Sequence, residues 1–148
     1  MISNDTIREF DRYGEQLLNL LSEVPDNILW QKPDRLPNSI GAIARHLAGN
    51  LNHYLGAGVL QNGYQRNREH EFHGPPIPRD ALIANLREAL DVARSAIGST
   101  DEARAAAPHT APGGETYDSL NYQIIRLATH LSYHVGEAYY ASKLLGKD

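Results

Sequence analysis

Apolar residues recur every three or four positions in four separate stretches of this chain, and nowhere do they hold the strict alternation of a half-buried strand. The first stretch, residues 5–24, puts Ile7, Phe10, Tyr13, Leu17, Leu18 and Leu21 on one stripe, and Pro25 closes it. The second, PNSIGAIARHLAGNLNHYLGAGVL, takes Asn38 or Ser39 as its N-cap and runs to the region of Leu60. Its stripe is Ile40, Ile43, Leu47, Leu51 and Tyr54, and Gly56, Gly58 and Gly63 weaken or end it. The third, PRDALIANLREALDVARSAIG, aligns Leu82, Leu86, Ala89, Ala93 and Ile97. The fourth runs from Tyr117 to Leu145 and stops at Gly146, a favourable residue just beyond a helix end. Between them, residues 26–37, 61–78 and 98–116 read as connections. The middle one, QNGYQRNREHEFHGPPIP, is too polar and proline-rich to predict a buried element.

Four amphipathic helices in one short chain pack most simply as a bundle. The expected fold is therefore all-α, one domain over residues 1–148, with long connections before and after the third helix that leave room for crossovers. The chain is long enough to bury a core, and 41% apolar with 22% charged residues is ordinary for a globular protein. No apolar run approaches the roughly 20 residues needed to cross a bilayer. The start, MISNDTIREFDRYG, lacks the basic and apolar regions of a signal peptide, so a cytoplasmic protein with no membrane partner is expected. A net charge of −4 gives no electrostatic case for a nucleic-acid partner. The absence of cysteine excludes disulfides, thiolate zinc sites, iron–sulfur clusters and a cysteine nucleophile, so any metal must be held by nitrogen and oxygen.

The seven histidines then become the informative residues. His130 and His134 lie four apart near the apolar face of the fourth helix, one turn from each other, with Cβ atoms roughly 6 Å apart. That spacing lets two imidazole nitrogens converge on one ion at about 2.0–2.1 Å. His46 flanks the stripe of the second helix beside Ile43, Leu47 and Asn50, and is the third candidate ligand. His53 shares its bearing but sits roughly 10 Å further along the axis, so the two cannot reach the same ion. It reads as a partly exposed surface residue. His70 and His73 do not form the HExxH zinc-protease pattern and read as solvated, while Arg66, Arg68, Glu69 and Glu71 around them could pair or guide an anionic substrate. His109 has no visible partner and no role. No glutamate is followed three residues later by histidine, which argues against a di-iron carboxylate bundle.

NSIGAIARHLAGN on the second helix and HLSYHVGEAYY on the fourth resemble the DinB-like metal-binding four-helix-bundle superfamily, and RNREHEF resembles a branch of it that has no assigned function. The resemblance spans essentially the whole chain. It implies one divalent metal ion held by His46, His130 and His134, with zinc, nickel or iron expected, since three imidazoles discriminate poorly among such ions. It further implies a thiol S-transferase that uses a low-molecular-weight thiol on a small electrophilic substrate. Where the superfamily commonly has glutamine after H-x-x-x-H-x-G, this chain has Glu137, a candidate base or support for a liganding imidazole. Asn50, one turn from His46, is a similar support candidate. Tyr54, Tyr133, Tyr139 and Tyr140 read as packing residues. The rival readings are a metal-dependent hydrolase with Glu137 as base, and a non-catalytic stress-response or binding module. A homodimer is also expected, with Ala44, Ala48, Val59 and Leu60 suggesting apolar surface beyond one core's needs.

Overall fold

The computed structural model describes residues 2–146. Four long helices carry the fold: α1 (Ile2–Glu23), α3 (Ile40–Leu51), α5 (Arg79–Gly98) and α7 (Leu120–Leu145). The short helices are α2 (Asp26–Leu29), α4 (Arg68–His73) and α6 (Glu102–Ala106). A two-residue hairpin, β1 (His109–Thr110) with β2 (Thr116–Tyr117), is too short to leave any alternation in the sequence.

Serine caps set the starts of two of the long helices. The Ser39 hydroxyl accepts the Ala42 N–H at 3.1 Å, which fixes the beginning of α3 at the expected cap. The Ser119 hydroxyl does the same for Tyr122 in α7. Tyr117, the expected first residue of that helix, belongs instead to β2, because the serine cap two residues later takes over the role. After Leu51 the second helix widens into a π-helical segment, Asn52–Leu60. The Asn52 side chain donates to Ala48 O at 3.0 Å and so competes with the backbone for that carbonyl where the helix changes pitch. The segment ends at Gln61 in the left-handed region, φ 54.

Helix directions follow from the contacts. Arg79 at the start of α5 reaches Leu21 O and Asp26, and Arg94 reaches Asp11 at 2.6 Å, so α1 and α5 are antiparallel. Thr6 and Glu9 share a cleft with Ile125 and Ala128, and the Tyr139 hydroxyl reaches Gln16 O, so α1 and α7 are parallel. Gly41 packs on Trp30, which donates to Ile77 O just before α5, and Gly56 packs near Val92; α3 and α5 therefore run the same way. A chain leaving α3 must travel back roughly 30 Å to begin α5 in parallel. That return is why residues 61–78 are long, and it carries them past the middle of α3.

The core joins all four stripes: Leu17, Leu21, Ile40, Ile43, Leu47, Leu51, Leu82, Leu86, Leu120 and Leu131 are fully enclosed. Three sequence expectations need correction. Residues 26–37 contain α2, whose Ile28 and Leu29 enter the core. Segment 61–78 does contribute a buried element, since α4 carries Glu71, which is 4% exposed. The residues expected to offer dimer surface, Ala44, Ala48 and Val59, are consumed inside the monomer, leaving only Leu60 exposed. The large exposed apolar side chains lie elsewhere. Among the described residues, five of six (Tyr122, Ile125, Tyr133, Tyr140 and Leu144) are on α7, on bearings within about 100° of one another. Tyr133 and Tyr140 are therefore surface residues, whereas Tyr54 and Tyr139 pack against the core as expected.

Among the described residues, no helix is long and apolar enough to cross a membrane. Two glycines give substitutions of opposite sign. A Cβ at Gly41 would sit 2.6 Å from the Trp30 ring, so Gly41→Ala should destabilise by about 1–3 kcal/mol through overpacking. At Gly136, helical and exposed, a Cβ meets nothing within 4 Å, so Gly136→Ala should stabilise by about 0.5–1 kcal/mol. Chemical denaturation of the two variants checks both signs.

Candidate metal centre

His46 faces inward from α3 and is 3% exposed, while His130 and His134 are half-buried on the antiparallel α7. The Nε2 atoms of His46 and His130 are 3.4 Å apart, and those of His130 and His134 3.1 Å. All three ligand atoms lie within 4.8 Å of one another. Nitrogens about 2.0–2.1 Å from a common ion in tetrahedral geometry stand about 3.4 Å apart, so the two closest edges already match a metal's coordination shell. The residues fit a divalent ion. His46, His130 and His134 are thus the three expected residues, and the fold brings them together. His53 is not among them; its ring packs on Tyr54 at 4.8 Å. His70 and His73 are exposed on α4, so the segment is helical although the histidines are solvated. His109 stays apart in β1.

The His46 ring is the most firmly held. Its Nδ1–H donates to Glu71 Oε1 at 3.0 Å, which leaves the Nε2 lone pair directed at the other two rings. Arg66 in turn donates to both Glu71 oxygens at 2.9 Å, through Nε to Oε2 and Nη2 to Oε1. Burial pushes the Glu71 carboxyl up, but the hydrogen bonds from His46 and Arg66 outweigh it and hold the group below its ordinary value. It is an ionised carboxylate inside the protein. Phe72 covers the other face of His46, stacked at 4.5 Å between centroids.

Two features of α3 admit α4 to this position. Arg45, buried next to His46, donates to three carbonyls of the returning chain: Glu71 O at 2.9 Å, Gly74 O at 2.8 Å and Pro75 O at 2.7 Å. Its guanidinium also stands 4.8 Å from the Trp30 ring. Gly49, three residues beyond His46, leaves the space that Glu71 fills; a Cβ there would lie 2.0 Å from Oε2. Sequence reasoning noted Glu71 among loop charges but did not connect it to His46. The available signals were Gly49 three residues beyond His46 and a charged Arg45 inside an otherwise apolar run.

His130 and His134 are less tethered. Burial lowers both to about 4; His46, Arg66, Arg68 and Arg126 add to the effect on His130, and the neighbouring histidines to that on His134. Neutral imidazoles are the ligand form, so no proton need be displaced from these two near neutrality. Their Nδ1 atoms are buried without a hydrogen bond among the described residues. Glu137 Oε2 is 3.5 Å from His134 Nδ1, an ion-pair distance longer than a good hydrogen bond. Burial raises the Glu137 carboxyl against an opposing influence from His46, and its Oε1 has no hydrogen-bond partner among the described residues. Asn50 is buried too, with Oδ1 unpartnered and no hydrogen bond to any of the three rings.

Replacing Glu71 by glutamine keeps its shape and removes its charge. The expected outcome is a zinc affinity about 10–100-fold weaker, with helix content unchanged by circular dichroism. Unchanged affinity in a chelator competition would restrict Glu71 to anchoring the loop.

No curated protein matches the chain. One family does, over residues 2–148, and its description is "Protein of unknown function (DUF1572)". With the match running through all four long helices and all three convergent histidines, the chain belongs to the DUF1572 family.

Proposed function

We propose that this protein is a DinB-like metal-binding bundle, in which His46, His130 and His134 hold one divalent ion, and that it transfers a low-molecular-weight thiol onto a small electrophile. The observation that carries the reading is the convergence of three Nε2 atoms at 3.1 and 3.4 Å, on two helices that both contribute to the hydrophobic core. A divalent ion held by these residues would supply Lewis acidity, favouring the nucleophilic form of a thiol or water near neutral pH. Three protein ligands leave open positions for that group, as catalytic rather than structural sites do.

The chain's own residues supply the rest. Glu71 fixes the tautomer and direction of His46, and Arg66 keeps Glu71 ionised. Phe72 and the bundle wall keep bulk water from the inner face of His46. Glu137 Oε2, beside His134 and with its proton affinity raised by burial, is placed to take the proton released when a thiol or water is activated. That same placement supports a second reading, a metal-dependent hydrolase with Glu137 as base. Dependence of activity on added thiol separates the two. The reading places the protein in the cytoplasm, where such thiols are kept reduced.

The chain is further proposed to pair with a second copy through the apolar face of α7. Tyr133, 69% exposed on that face, stands 5.2 Å from the His134 ring, so the interface would adjoin the centre. A two-fold pairing of one helix face closes on itself without leaving a free end.

Protein purified without a histidine tag should contain one divalent ion per chain by elemental analysis. His46→Ala, His130→Ala and His134→Ala should each abolish stoichiometric binding. Full metal retention in the triple variant would defeat the proposal. Glu137→Gln should retain the metal while lowering turnover about 10²–10⁴-fold if the carboxylate is the base. Loss of metal affinity instead would assign it to holding His134. Light scattering should give a dimer mass that Tyr133→Glu converts to monomer; a native monomer at micromolar concentrations would rule pairing out.

A further inference from the structure

We infer that the substrate of this centre carries an anionic group, a carboxylate or phosphate, bound by Arg68 and Arg126 beside the three histidines. The inference rests on the metal reading above and names the class of molecule that reading requires.

The argument is an accounting of charge around the rings. Three neutral imidazoles add no negative charge to a divalent ion, so a loaded centre is strongly positive unless nearby carboxylates offset it. Glu71 does not, because both of its oxygens are taken by Arg66, 2.9 Å away on each side. Glu137, with Oε2 3.5 Å from His134 Nδ1, is the other acid at the centre, a single carboxylate beside a doubly charged ion. Glu69, next to Arg68 in the chain, is exposed and makes no ion pair among the described residues.

Two further arginines stand beside the centre. Arg68, the first residue of α4, places its guanidinium 5.7 Å from the Phe72 ring, and Phe72 stacks on His46. It therefore stands one aromatic layer from a candidate ligand. Arg126 lies on α7 one turn before His130, itself one turn before His134, so the three side chains form one line along the helix. Both guanidinium groups are exposed, and neither pairs with a carboxylate among the described residues. Both charges are close enough to act electrostatically on the His130 imidazole.

Leaving two free guanidinium groups beside a dication costs self-repulsion that a neutral substrate does nothing to relieve. An anion relieves it, and a guanidinium's planar fork suits the two oxygens of a carboxylate or phosphate. One cation comes from the returning segment and one from α7, so the anion would link α4 to the helix that carries two of the three histidines. A thiol or electrophile bearing such a group would be oriented by it while its reactive atom reaches the open metal positions.

Cobalt(II) is a suitable probe, since its visible spectrum reports both metal uptake and changes around the ion. Cobalt-loaded protein is titrated, at fixed ionic strength, with succinate, with inorganic phosphate and with neutral succinamide. One of the two anions should perturb the spectrum saturably and succinamide should not; which anion responds separates carboxylate from phosphate. In the double variant Arg68→Gln, Arg126→Gln, cobalt uptake should persist while anion affinity falls at least about 10-fold. Arg87→Gln, which removes an exposed charge from α5, should leave anion affinity unchanged. Native-like anion affinity in the double variant, an equal loss in Arg87→Gln, or no response of the native protein to either anion overturns the inference. Failure of the native protein to take up cobalt at all overturns the metal reading, and this inference falls with it.

Discussion

A buried guanidinium must find acceptors, and Arg45 finds three of them in the carbonyls of Glu71, Gly74 and Pro75. Leaving such a charge without partners would cost several kcal/mol, so the returning chain is held where those carbonyls meet α3. Much of the centre follows from that one constraint. Fixing Glu71 O fixes α4; fixing α4 brings the Glu71 carboxylate over Gly49 and onto His46. The Trp30 ring under Arg45 ties the same group to the first connection, and Trp30 itself packs on Gly41 and donates to Ile77 O. Three segments, the first connection, α3 and the returning chain, meet around one side chain.

The two glutamates at the centre show how environment divides one residue type into two characters. Glu71 accepts hydrogen bonds from a guanidinium and an imidazole, so it stays charged despite burial. Glu137 is enclosed with no such donors, and burial moves it the other way. A carboxylate fixed in its ionised form is suited to orienting a ring, whereas one poised to change protonation state is suited to moving a proton. Neither property belongs to the residue type; each belongs to what surrounds it.

This also explains which parts of the molecule could be read from the sequence. The four helices and their inward faces were legible because a 3.6-residue period is a local pattern, and the stripes through Leu47, Leu86 and Leu131 are enclosed as that period implies. His130 and His134 were legible as a pair because helical spacing alone brings them together, and His46 because it borders an apolar stripe. Glu71 was not. Polarity predicts solvent exposure, and the pairing that allows this carboxylate to be buried depends on Arg66, on Arg45 and on a missing side chain at Gly49, none of which is periodic. The start of α7 was misread for a related reason: the apolar pattern continues through Tyr117, but the Ser119 cap decides the boundary. The expected dimer surface failed because the small residues Ala44 and Ala48 face the neighbouring helices, where their size permits close approach.

The 84 residues separating His46 from His130 set the order in which the centre can come into being. Contacts that span so much chain form late, because closing a long loop costs entropy before any packing repays it. The α3–α4 half, with Arg45, Glu71 and His46 joined over at most 30 residues, is by comparison local. A folding chain therefore prepares one oriented imidazole first and acquires the other two together when α7 docks. An ion that required all three ligands would bind the docked state alone, and its binding energy would act on that final step as a latch.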